Sequence, residues 1–242
     1  MSLQQIIFIL LFAIVSYLAF RFYSKIYKTI KLGRDIEIKG DSGQRWKNVL
    51  LIAFGQKKMF KRWLPAMLHL FIYVAFLFTQ IELIEIIIDG FSGQHRFFAG
   101  KLGVFYTVII NTIEILSVLA FVATVTFLWR RNMLKIPRFS MDEMSGWPKL
   151  DANYILFGEI VLIIGIFMMN SADAVLQNID PEHYPDTGAV IISNALGGAF
   201  LEGLSQSSLI LIERAGWWLH LITVFGFLLY LPISKHLHIL LS

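Results

Sequence analysis

A chain of 242 residues with a mean hydropathy of +0.66, 57% hydrophobic and only 16% charged residues belongs to the membrane class and not to soluble domains. Cysteine is absent, which excludes a thiolate-bound Fe–S cluster, a thioether-attached haem and a disulfide within these residues. The net charge of +4 lies in the loops between apolar segments, so it reads as membrane orientation and speaks against nucleic-acid binding.

Taken in order, residues 3–20 form a first apolar segment of spanning length, with no Lys or Arg before Arg21 and no small-residue cleavage site, and so read as a retained helix. From Arg21 to Arg62 the character reverses and twelve Lys or Arg residues follow one another. Within that stretch residues 45–60 carry the pattern of an interfacial amphipathic helix, with a plain basic loop as the alternative. The second span is expected over 64–88, the third over 102–129 and the fourth over 152–175. Residues 189–200 are apolar but too short to cross, which suggests an interfacial or re-entrant piece. The fifth span is expected over 217–240.

These segments make one all-α domain, a five-helix membrane bundle over 1–242. Eighteen Lys and Arg residues fall in the 21–62 and 130–151 loops and at the C-terminal end, against Arg96, Lys101 and Arg214 on the other side. The positive-inside rule then puts the N-terminus outside and the C-terminus in the cytoplasm. Trp63, Trp129, Trp217 and Trp218 fit an aromatic belt.

The last apolar stretch holds two histidines, His220 and His238. If it is one continuous helix, their spacing is five whole turns, so both rings leave one face about 27 Å apart. Imidazole is costly in hydrocarbon unless it is paired or coordinating, and it is a common axial ligand of haem iron. The pair therefore suggests two haems stacked across the membrane. The bland alternative is an interfacial His220 and a basic end at His236 and His238. In the expected topology His69 also lies near the inner face, at the depth of His238, so bis-histidine ligation of an inner haem across two antiparallel helices is available.

His220, Pro232, Ser234, Lys235 and His238, read as H-x11-P-x-S-K-x-x-H, resemble the last transmembrane helix of the γ subunit of respiratory nitrate reductase and its relatives. Those relatives include the haem-b subunit of membrane-bound heterodisulfide reductase and the membrane part of Fe–S oxidoreductases that pass electrons from electron-transfer flavoprotein to quinone. His69, in Leu68-His69-Leu70-Phe71, is similar to the first histidine of that family's second helix. The resemblance implies haem b as cofactor, quinone as substrate, and a cytoplasmic Fe–S partner or fused domain, with electron-transfer flavoprotein as a further partner. It implies an integral protein of a bacterial cytoplasmic membrane. It also assigns inner-haem ligation to His69 and His238 and outer-haem ligation to His220.

The outer site departs from the pattern. The family's second histidine on that helix is replaced by Thr79, followed by Gln80, so His220 lacks its partner. Met168, Met169, His95 and His183 are the substitutes the chain offers, and an empty outer site is an equal expectation. His236, about 160° round a regular helix from His220, points away from the haem face. Glu82, Glu85 and Glu114, with Asn111 beside it, are candidate proton carriers for a quinone. Lys101 stands roughly where the family places a quinone-contacting lysine, and Glu159 fits an interhelical hydrogen bond. The rival reading is a haem-free membrane anchor or a small ion or proton transporter, against which the odd number of spans and the lack of inverted repeats count.

Overall fold

The computed structural model describes residues 2–34, 40–55, 57, 59–134, 136–137, 141 and 146–238. Lys39, Gln56, Lys58, Lys135, Arg138 and the last residues, 239–242, lie outside that set. Every regular element among the described residues is helical, and five helices are long and apolar enough to cross a membrane.

The first is α1, Leu3–Lys31, whose start is fixed by a reciprocal capping box between Ser2 and Gln5. Phe8 of α1 drops into a notch that exists because residue 90 of the next span is glycine. A methyl there would lie 2.6 Å from the Phe8 ring. The basic segment forms α2, Ser42–Asn48, capped by Asp41, and runs on as a π-helical turn over Val49–Phe54. Leu50, Leu51 and Phe54 are exposed there, as an interfacial seat requires.

The second span is α3, Trp63–Ser92, closed by Gly93 in the left-handed region that favours glycine. A short turn, α4, Ala99–Leu102, leads to α5, Val104–Asn132, and then comes α6, Trp147–Ile179, with Pro148 in its first turn. The non-crossing apolar stretch is α7, Ile191–Phe200, and the last span is α8, Gln206–Tyr230.

α6 and α8 form the most extensive helix pair in the bundle. Small residues let their backbones touch. A methyl on Gly216 would come 2.5 Å from Met169 N and 2.8 Å from Gly165 O, and one on Gly165 would come 3.0 Å from His220 N. The apolar core beside this seam joins Phe8, Ile86, Met169, Trp217, Leu221 and Phe225. Trp217 is therefore a core residue and not part of an aromatic belt, whereas Trp63 and Trp129 are exposed as a belt demands.

The expected fifth span differs most. It begins at Gln206, eleven residues before the expected 217, and its α-helix ends at Tyr230. Pro232 cannot continue the ladder, and the chain passes through a 3-10 turn over Leu231–Ile233, an extended Ser234 and a second 3-10 turn over Lys235–Leu237. His220 and His238 are thus on different elements, and the five-turn shared face does not exist.

Candidate functional site

At the basic end of the bundle the turn after α8 is held from α6. Asp151, buried in the first turns of α6, accepts from the Tyr230 hydroxyl at 2.6 Å and from the Lys235 backbone N–H at 2.9 Å. Ser234 caps the same turn by accepting from His236 N. These bonds bring His236 and His238 to the end of the bundle where His69 projects from α3. The rings of His236 and His238 are 6.0 Å apart between centroids. Burial pushes His236 down to about 4, and the nearby His238 and His69 add to the effect, so three imidazoles share this corner. His236 Nε2 also lies 3.9 Å from Glu159 Oε1, and Glu159 accepts from Thr124 of α5 at 3.0 Å, the interhelical bond expected of it.

Two features of this corner bear on ligation. His238 donates from Nδ1 to the Lys235 carbonyl at 2.8 Å, which leaves Nε2 as its lone-pair nitrogen. His69 is half-buried, and its Nδ1 is buried with no hydrogen-bond partner. Both His69 and His238, expected together from the sequence, are brought to one end of the molecule.

His220 is buried on α8 and donates from Nδ1 to the Leu162 carbonyl of α6 at 3.2 Å, again leaving Nε2 free of that bond. Three of the four substitutes named for its partner are otherwise engaged. His95 uses both ring nitrogens, donating from Nε2 to Asp173 at 2.7 Å and accepting at Nδ1 from Arg214 at 3.4 Å. His183 is exposed and bonded to Asp180 at 2.9 Å, Met169 packs in the core, and Met168 faces a cleft. Thr79 turns back on the Phe76 carbonyl, and so does Gln80.

The opposite end holds a buried polar cluster that the sequence reading only touched through Glu82 and Glu85. Its centre is Arg96, buried, in the left-handed region at φ 55. Its Nε donates to Asp173 at 3.2 Å, Nη2 to Asn170 at 2.6 Å, and Nη1 to the Tyr106 hydroxyl at 3.3 Å and Glu82 at 3.4 Å. Burial alone would lower the Arg96 pKa, but Tyr106, Asp173, Glu82 and Glu85 outweigh it and hold the group well above its ordinary value. Glu85 accepts from Tyr106 at 2.6 Å and from Phe98 N at 2.7 Å, and Asp89 accepts from Arg96 N and Phe97 N. An arginine and a histidine in a short polar loop, facing acids spaced three and four apart on α3, were the available signal.

Glu114 has a different surrounding. With Thr107 and Asn111 it forms a stripe on α5 that grips the chain entering α7. Asn111 accepts from Ile191 N at 2.9 Å, and Glu114 accepts from Ile192 N, Ser193 N and the Ser193 hydroxyl. A carboxylate at a helix N-terminus satisfies orphan N–H groups, so this placement gives Glu114 a structural task. Lys101 Nζ sits over the Phe97 ring, 3.2 Å from its centroid. An almost wholly apolar cleft of about 360 Å³ opens sideways among α5, α6, α7 and α8, with Phe121, Phe167, Phe200 and Ile212 in its wall. Ser171, whose buried Oγ has no partner, lies on the same wall.

No protein-family profile matches the chain, and no solved structure matches it. The chain is 27% identical over 236 residues to a protein of Bacillus subtilis (strain 168) described as probable iron-sulfur-binding oxidoreductase FadF. The match takes in 96% of this chain but 31% of that protein, so the chain spans about a third of the relative's length.

Proposed function

We propose that this chain is a haem-b electron-transfer unit, moving electrons between membrane quinone and an Fe–S oxidoreductase subunit or fused domain on the basic side of the bundle. The likeness to an iron-sulfur-binding oxidoreductase supports the electron-transfer role and the Fe–S partner. Because this chain has no cysteine, the clusters must be held outside it. Electron-transfer flavoprotein fits as the donor in this reading, and the bacterial cytoplasmic membrane as the location.

The observation that carries the haem assignment is the corner of His69 and His238. His238 is set in the tautomer whose Nε2 can ligate, and His69 has an orphaned buried ring nitrogen. Haem b, when bound, supplies one-electron exchange at low energetic cost, and the protein tunes it through its axial ligands and burial. Asp151 and Ser234 position the His238 turn, and α3 presents His69 from the opposite direction. His220 is set in the same tautomer as His238 and is the candidate for an outer haem; of the substitutes named as its partner, Met168 is the one not held in a hydrogen bond or in the core. The apolar cleft with its unpartnered Ser171 hydroxyl suits a lipid-borne quinone, with Glu82 and Glu85 behind α6 as proton groups. Lys101 is kept as a quinone-side residue through the family resemblance and Glu114 through its place as an intramembrane carboxylate, although the contacts of both are structural.

The basic loops lie on the cytoplasmic side in this reading, with the N-terminus outside. The test is the visible spectrum of the purified protein. A haem-b signal is expected, and His69→Ala and His238→Ala should each abolish the inner component. A wild-type protein without haem absorbance would sink the assignment and leave a membrane anchor.

A further inference from the structure

The buried cluster at the outer end holds more acid than base. Glu82 and Glu85 of α3, Asp173 of α6 and Glu213 of α8, all buried, converge on two guanidinium groups, Arg96 and Arg214. His95 is neutral in this arrangement, because Nδ1 accepts from Arg214 while Nε2 donates to Asp173. Ionised throughout, the four carboxyls would bury two negative charges without matching cations, and a buried unpaired acid neutralises itself by keeping its proton.

The hydrogen bonds single out where that proton sits. Asp173 accepts from His95, Arg96 and Gln177, Glu85 from Tyr106 and Phe98 N, and Asp89 from two backbone N–H groups. All three are furnished as carboxylates. Glu82 has one long contact from Arg96, at 3.4 Å, and a contact with the Asn170 amide, while its buried Oε2 has no aligned donor. Glu213 likewise has no aligned donor, although Arg214 Nε lies 2.6 Å from one of its oxygens. Asn170 contributes a further orphan, Nδ2, beside Arg96.

We propose that Glu82 is a proton-holding site, filled and emptied from the outer face through His95 and Asp173. His95 is the partly exposed member of the chain, its side chain 16% accessible beneath the Tyr184 ring. A proton arriving at its Nδ1 releases the one on Nε2 to Asp173, and the ring stays neutral. Asp173 and Glu82 are held on the same guanidinium, Arg96, at Nε and Nη1 with Asn170 on Nη2, and Asp173 acts electrostatically on Glu82, so Glu82 is the acid without a full set of donors to which a proton on Asp173 passes. The groups that act on Glu82 are Glu85 on its own helix, which shares Arg96 Nη1, Arg96 of the loop, Tyr106 and Glu114 of α5, and Asn170 and Asp173 of α6. The ligand is the proton itself, which every quinone reduction consumes and every quinol oxidation releases. The site stands on this geometry and does not require the haem reading to be right.

Infrared spectroscopy of the intact purified protein tests it. At neutral pH the wild type should show the C=O stretch of neutral buried carboxylic acids, and the difference spectrum against Glu82→Gln should show the loss of one such band, that of Glu82. Transfer to heavy water should shift that band, and His95→Gln, which keeps an amide donor for Asp173 but cannot relay a proton, should slow the shift about tenfold or more. Should His95→Gln fail to fold, His95 is carbethoxylated in the folded protein on a His183→Asn background, with the same slowing expected. A wild type with no such band, a carboxylic-acid spectrum unchanged by Glu82→Gln, or unchanged exchange after His95 is altered would each overturn the proposal. None of these readouts needs haem or quinone, so a colourless preparation would count against the proposed function alone.

Discussion

Asp151 and Lys235 are 84 residues apart in sequence, yet the Lys235 backbone N–H donates to Asp151 Oδ2 at 2.9 Å, and this bond fixes the turn that presents His238. Asp151→Ala leaves that N–H and the Tyr230 hydroxyl without their acceptor, a loss of about 1–3 kcal/mol. Under the proposed haem reading, the expected result is a protein that keeps its helical circular dichroism but loses most of the haem assigned to His69 and His238. Full haem retention would show that the turn is held by other means.

The α6 and α8 seam leaves no room for a side chain at residue 216, where a methyl would meet Met169 N at 2.5 Å. Gly216→Ala is expected to destabilise the bundle by about 1–3 kcal/mol, because backbone and not a movable side chain is in the way. Thermal unfolding in detergent measures it, and an unchanged midpoint would mean that the two helices separate at little cost.

Glu114→Gln tests the grip on α7. The amide keeps an acceptor oxygen but loses the charge that favours a helix N-terminus, for an expected cost of about 0.5–2 kcal/mol. Hydrogen exchange should quicken at Ile192 and Ser193 while the other helices stay protected. Uniform loosening of the bundle would contradict a local role.

The loop after α6 carries a pH dependence. The hydrogen bond to Asp180 raises His183, and the same bond lowers Asp180. A raised histidine stabilises below its unfolded pKa and loses that contribution as pH rises through its folded one. A lowered aspartate stabilises above its unfolded pKa and loses it as pH falls through its folded one. Loop protection from hydrogen exchange should therefore be greatest between the two and fall on both sides. His183→Asn should remove the alkaline loss, and a flat profile in wild type would show that the pair does not order the loop.

The spans were legible because twenty or more apolar residues leave few choices in a bilayer, and α7 because ten do not reach across. His69 and His238 were legible as a pair by depth. The path between His220 and His238 was not, since one proline in an apolar run does not announce whether the helix bends or stops. Here Ser234 adopts an extended conformation and Asp151 captures the next N–H, a contact no local pattern contains. The outer cluster was hidden for the same reason. Glu82 and Glu85 showed as intramembrane acids, but Arg96, Asp173 and Arg214 come from three other segments and only the fold joins them.

The left-handed backbone at Arg96 bears on the order in which the bundle assembles. A non-glycine residue in that region costs free energy by itself, and the compensation comes from side chains on α3, α5 and α6 together. Asp89 and Glu85 of α3 already hold the loop's N–H groups, whereas the guanidinium has its acceptors only once α5 and α6 are in place. The 93–98 connection is thus a clasp hinged on α3, and a chain stalled with α6 outside the bundle would leave its arginine without Asp173 and Asn170.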